Sequence, residues 1–137
     1  MARFSIDGLD DLMLSIEEIA AIPNSVKADM LNAGAEVIAD GQKAVGRQMG
    51  VHRTGVTLES IKPGKAVPTN DGGHVDVYPQ GTNADGNRNA EVGFINEYGK
   101  RGQPARPFIN TANERYADKA VEKEAEVYDE FLKSKGV

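Results

Sequence analysis

From Asn24 to Met49 the chain keeps one apolar stripe with no proline to break it. Val26, Met30, Ala33, Val37, Gly41, Ala44 and Gln48 recur at spacings of three and four, with Leu31, Ile38 and Val45 beside them. That spacing predicts a single helix over 24–49, about 39 Å long at about 1.5 Å per residue. Asn24 or Ser25 can cap it. Gly34 and Gly41 lie inside it, and each costs about 1 kcal/mol of helix propensity against alanine. Their presence predicts a closely packed neighbouring backbone, either the chain's own sheet or another subunit. The chain has 137 residues, the size of one domain, so 1–137 is read as a single unit.

Two further helices flank this one. Leu9, Leu12, Met13, Ile16, Ile19 and Ala20 share a helical face, which predicts a helix over about 7–21 with Asp7 as its cap and Pro23 at its end. Phe108, Ile109, Ala112, Tyr116, Ala120, Val127, Phe131 and Leu132 mark the inner face of a C-terminal helix over about 107–133, with Pro107 at its first position. Lys119 precedes Lys123 by one turn, as Glu122 precedes Glu126, so packing rather than ion pairing has to hold this helix.

The middle, about 57–98, reads as a sheet. Ser60–Val67 is a candidate strand interrupted by Pro63-Gly64, and Val75 and Val77 share one face of a second strand. Ala90, Val92 and Phe94 alternate with Glu91 and Gly93, which predicts a third. Between the last two runs PQGTNADGNRN, residues 79–89, almost all turn formers, expected to be a long flexible hairpin loop. The expected fold is therefore α+β: a small antiparallel sheet of about three strands, with a hairpin carrying a long loop, packed against long N-terminal and C-terminal helices.

The chemistry on offer is thin. There is no cysteine, which excludes disulfides, thiolate metal sites and cysteine nucleophiles. His52 and His74 are the two histidines, each alone, and no nucleotide-binding, hydrolase-elbow or zinc-protease motif appears. Glu91 and Glu97 form no recognisable acid–base pair. Asp85, Asn87, Asn89 and Glu91 alternate like the start of a calcium loop, but Ala90 stands where such a loop needs glycine and Asn96 where it needs glutamate. The expectation is a protein that is not an enzyme, with no cofactor and no metal.

Charge points instead to partners. The net charge is −5, which argues against sequence-specific nucleic-acid binding. Residues 1–40 carry eight acids and two bases, whereas 42–66 carry five bases (Lys43, Arg47, Arg53, Lys62, Lys65) and only Glu59 as an acid. Such segregation suits contact between different surfaces of successive copies or partners. Lys43, Arg47 and Lys62 are candidate contact residues, with Lys100, Arg101 and Arg106 of the basic loop KRGQPAR. That loop could touch nucleic-acid phosphates, but with three cations and no interleaved aromatics it is expected instead to pair with a buried Glu97 or reach a partner chain. No apolar run approaches the ~20 residues of a membrane span, and the N-terminus lacks the apolar core of a signal peptide. A cytoplasmic product with no membrane role is expected.

The segment FINEYGKRGQPARPFINTA, residues 94–112, carries a resemblance. Glu97, Tyr98 and Gly99, followed by Ala105, Pro107 and Phe108, resemble the E-[FY]-G … A-x-P-F signature of the tail-completion or head–tail joining (neck) proteins of long-tailed phages. Upstream, Thr54, Gly55, Leu58, Ser60 and Ile61 resemble that family's TG-x-L-x-x-S-I block with one extra residue, and GLDDL at 8–12 is similar to its opening. Lys100 stands where the family usually has threonine. The resemblance implies a non-enzymatic virion or prophage structural protein, made in the bacterial host cytoplasm and placed at the head–tail junction or tail. It implies a ring of copies, six by expectation, between the head connector or head-completion protein and the tail tube or tail terminator. A tail terminator or other minor tail or capsid component is the alternative, and a small nucleic-acid-binding regulatory domain stands behind it. For Gly99 and Phe108 a fold role is open beside direct contact: a positive φ for the first, anchoring of the last helix for the second.

Overall fold

The computed structural model describes residue 12, residues 14–51 and 55–136, and the backbone of residues 4–7. Its elements are β1 (Phe4–Asp7), α1 (Ile16–Ala21), α2 (Asn24–Gln48), α3 (Val56–Glu59), β2 (Ile61–Pro63), β3 (Val67–Thr69), β4 (Gly72–Pro79), α4 (Asn89–Tyr98) and α5 (Phe108–Ser134). The fold is α+β with an antiparallel sheet, as the patterning predicts.

β4 is the centre of the sheet. β1 pairs with it on one side, Phe4 opposite Val77 and Asp7 opposite His74. On the other side β3 and β2 lie end to end, Val67 opposite His74 and Ile61 opposite Pro79. Four hydrogen-bonded strands therefore make a sheet three strands wide. The break between β2 and β3 falls at Gly64–Ala66, beside the proline expected to interrupt a strand there, and Gly64 N–H still reaches the Asp76 carbonyl at 2.7 Å. Val75, Val77 and Pro79 are buried along β4 while His74 faces solvent, the period of two expected of a half-covered strand.

α2 covers the buried face of the sheet, and α5 packs along α2. Met30, Leu31, Ala35, Ile38 and Val45 of α2 join Val75, Val77, Phe108 and Ala112 in the core. The two helices run antiparallel. Added Cβ atoms at Gly34 and Gly41 would meet Glu124 and Tyr116, each at 2.5 Å, and one at Gly46 would meet Leu58 and Phe108. The glycines thus admit side chains of α5 and α3, not a neighbouring backbone as expected. Near the start of α2, Lys27 is 1% exposed and its Nζ donates to the Thr69 carbonyl at 2.7 Å. Thr69 Oγ1 donates in turn to Asp71. That bond first, then the Asp71 backbone amide and the Lys27 charge, hold the Asp71 carboxyl below its ordinary value.

Three expectations are corrected. Helix α1 spans Ile16–Ala21, not 7–21: Asp7 lies in β1, and Ser15 and Glu18 form a reciprocal capping box that starts the helix later. Ile16, expected on the buried face, is 78% exposed. Ala90, Val92 and Phe94 belong to helix α4, not to a strand, and residues 56–59 are a helical turn. Leu9, Met13, Asp10, Asp11, Arg53 and Thr54 lie outside the described residues. Among the described residues, no helix is long and apolar enough to cross a membrane.

Candidate interaction surface

Segment 79–89 is not a hairpin connection, because it leads from β4 into α4. It is braced by its own asparagines. Asn83 Oδ1 accepts from the amides of Asp85 and Asn87, both at 3.0 Å, and Asn83 N–H donates to the Asn87 carbonyl at 2.8 Å. Asn89 N–H and its side-chain Nδ2 reach back to the carbonyls of Gly81 and Gln80 at 2.9 and 2.8 Å. This short-range closure is what asparagine side chains offer in turns. It sets the start of α4, where Arg88 pairs with Glu91 at 2.8 Å. Asp85, Asn87, Asn89 and Glu91 are thus engaged in turn and helix-start bonding, and they do not converge on a point.

Helix α4 buries an unusual face. Ala90, Gly93 and Glu97 point inward, at the i, i+3, i+7 spacing of one helical side. Gly93 lets Pro79 come within 3.0 Å of where a Cβ would sit. The bulky residues Phe94 and Tyr98 point outward, 42% and 63% exposed, with ring centroids 4.9 Å apart and planes tilted by 49°.

Glu97 is 5% exposed. Its Oε1 accepts from Ile109 N–H at 2.7 Å and its Oε2 from Asn110 N–H at 3.1 Å. Helix α5 has no side-chain cap at Pro107, so a carboxylate from the preceding helix fills that role. A negative charge at a helix N-terminus is stabilised by the unsatisfied amides and by the helix dipole. The pairing is with backbone amides, and not with a cation of the basic loop as one expectation had it.

The loop between the helices is tightly built. Gly99 has φ 77° and ψ 177°, a region open essentially to glycine alone. A Cβ there would stand 2.8 Å from Ala105 N and Gln103 O. Lys100 and Gln103 exchange backbone bonds of 3.0 and 2.9 Å, leaving Arg101 and Gly102 at the tip of a turn. Arg106 N–H donates to the Asn96 carbonyl at 2.6 Å, and its Nη1 donates to the Gly50 carbonyl at 3.0 Å, just beyond the end of α2. A guanidinium there suits the negative end of that helix. Phe108 is fully buried and reaches Gly46 and Gly93. Pro107 precedes the helix by one residue and Ala105 is exposed.

The upstream block comes to the same place. Gly55 takes φ 77° at the start of α3, and Leu58 and Ile61 are buried. Ser60 Oγ donates to the Thr57 carbonyl at 2.6 Å. Leu58 packs on Gly46 beside Phe108. Of the candidate contacts, Lys43 is half-buried on α2, Lys62 is exposed on β2, and Arg47 pairs with Glu59 at 3.0 Å. Both partners of that pair are mostly exposed, so it adds little stability. Lys100 and Arg101 are exposed and make no ion pair among the described residues.

One end of the molecule, where α2 finishes and α5 begins, therefore gathers the motif residues, the exposed aromatic pair and the loop cations. The aromatic pair is the part that the sequence reading missed. The alternation of Ala90, Val92 and Phe94 predicts a strand there, and only a helical period carried on to Tyr98 pairs the two rings on one face. His74 stands alone on β4, and the described residues contain no group of three His, Asp or Glu able to hold a metal ion. Comparison of the chain with protein-family models, with curated proteins and with solved structures gives no match.

Proposed function

We propose that this chain is a non-enzymatic virion structural protein of a tailed phage or prophage. In this reading it acts as a tail-completion or head–tail joining (neck) protein. Copies form a ring, six by expectation, between the head connector or head-completion protein and the tail tube or tail terminator. It is made in the bacterial host cytoplasm and ends at the head–tail junction. The observation that carries the reading is the convergence of its two motif blocks. Leu58 of the upstream block and Phe108 of the downstream block pack on the same Gly46, and Glu97 and Arg106 tie the intervening loop to the ends of α5 and α2. The segregated charge and the outward aromatic pair fit a protein that works through contacts with other chains.

The test is assembly. The purified chain, mixed with the connector of the same phage, should form rings visible by electron microscopy and sedimentation, more readily at low salt than at high salt. Reversal of Lys43, Arg47 and Lys62 to Glu should block ring formation while the circular dichroism spectrum is kept. Absence of connector binding by the wild type in every salt condition would overturn the reading.

A further inference from the structure

The chain has eight aromatic residues, four Phe and four Tyr, and two of them, Phe94 and Tyr98, lie in tilted contact on the outside of α4. Exposed aromatics beside arginine are the residues that anchor protein interfaces. Lys100 and Arg101 follow directly on the turn that leaves α4, so the patch is apolar with a cationic rim. Val56 of α3, the neighbouring element, is 39% exposed.

At the other end of α2 the character is reversed. Ile16 is 78% exposed on α1 and is followed by the exposed carboxylates Glu17 and Glu18. The second half of α5, which runs beside the first half of α2, exposes Glu122, Glu126, Asp129 and Glu130 together with Lys133 and Lys123, the last paired with Glu126 at 3.3 Å. α2 has 25 residues, so the two patches stand at opposite ends of a rod of about 36 Å. One end carries an apolar knob beside the carboxylates of Glu17 and Glu18, and the other an aromatic platform with a basic rim.

We propose that these two surfaces meet between copies: the α1 end of one chain, with Ile16 and Glu17, docks on the Phe94–Tyr98 platform and the Lys100–Arg101 turn of the next. The proposal rests on the ring reading in taking the occupant to be a second copy. Opposite charge selects this head-to-tail pairing, because platform on platform or knob on knob would bring like charges together. A contact between two different surfaces is heterologous and closes into a ring when the rotation between copies permits. The platform is small, so a single contact is weak and the ring holds through two contacts per copy.

The test is sedimentation of the full chain alone across concentrations up to its solubility limit. Wild type should self-associate. Ile16→Ser and Tyr98→Ala should each weaken association at least tenfold without changing the circular dichroism spectrum. Mixed together, these two variants should form a complex that stops at two chains, because each keeps the surface the other lacks. Arg101→Glu and Glu17→Lys should each weaken association, and combined in one chain they should restore it. Wild-type association unchanged by these variants would overturn the contact and leave the ring reading standing. A wild type that stays monomeric alone also overturns the contact, and the ring reading is then decided separately by connector-dependent assembly.

Discussion

Replacing Glu97 should show how the end of α4 holds the start of α5. Each of the first four amides of α5 has an acceptor: Phe108 N–H on the Arg106 carbonyl, Ile109 and Asn110 on Glu97, and Thr111 on the Pro107 carbonyl. Glu97→Ala removes two of these. The Ile109 amide lies in a buried bond, so leaving it unpaired costs about 1–3 kcal/mol. The Asn110 amide is only partly buried, and water recovers part of its bond. Loss of the favourable charge at the helix start adds about 0.3–1 kcal/mol. The expected total is about 3 kcal/mol, a large share of the roughly 5–15 kcal/mol of a typical domain. Glu97→Gln keeps one carbonyl acceptor and the shape, and should lose about 1 kcal/mol. Urea unfolding followed by far-ultraviolet circular dichroism measures both, with an unchanged denaturant slope as the sign that the transition is comparable. A loss under about 0.5 kcal/mol for Glu97→Ala would refute the capping argument, since even one stranded buried amide exceeds that.

Phe108→Ala should cost about 3–5 kcal/mol in the same assay, because the ring is fully enclosed; a loss under about 1 kcal/mol would contradict that burial. Gly99 and Gly102 both have positive φ, 77° and 83°, but a Cβ at Gly102 meets nothing within 4 Å. Gly102→Ala should therefore lose only about 1–2 kcal/mol of left-handed strain, whereas Gly99→Ala should lose clearly more. Equal losses would remove the steric part of the argument. Thr69→Val should raise the Asp71 carboxyl toward its ordinary value, read by NMR titration, since the Thr69 hydroxyl is the main cause of its depression. With a folded value below the unfolded one, Asp71 contributes stability above the unfolded value, and loses it as pH falls through the folded one. In the Thr69→Val variant that pH-dependent part should shrink.

The two long helices were legible because each repeats its apolar period over many turns, so a local exception such as Gly34 or Gln42 does not hide the pattern. α4 was not legible for a physical reason. Its buried face is made of Ala90, Gly93 and Glu97, while the large apolar residues Phe94 and Tyr98 face water. Hydrophobicity therefore pointed to the wrong side, and five residues of alternation looked like a strand. The start of α1 was legible in principle, since Ser15 and Glu18 have the spacing of a capping box, but the apolar residues at 9, 12 and 13 extended the apparent helix toward Asp7. β1, with four residues, is too short to declare itself by period. The motif end was legible as a string of residues, but not as a structure. That Glu97 caps a helix twelve positions later depends on a loop geometry that Gly99 permits and no periodicity announces.

The broken edge of the sheet has a consequence for the assembly proposed above. β2 and β3 present Pro63 and Pro68, with Lys62 exposed at one and Lys65 exposed in the gap between them. Proline cannot donate to an incoming strand, and a charged side chain on an edge resists a like neighbour. An extended segment arriving there finds an irregular row of donors and a gap in the strand over residues 64–66. Strand-by-strand growth, which has no natural stopping point and leads to fibres, is discouraged on this side. In the ring proposed above this matters: contacts made by helix ends and side chains can finish at a fixed number, while an inviting backbone edge would keep recruiting.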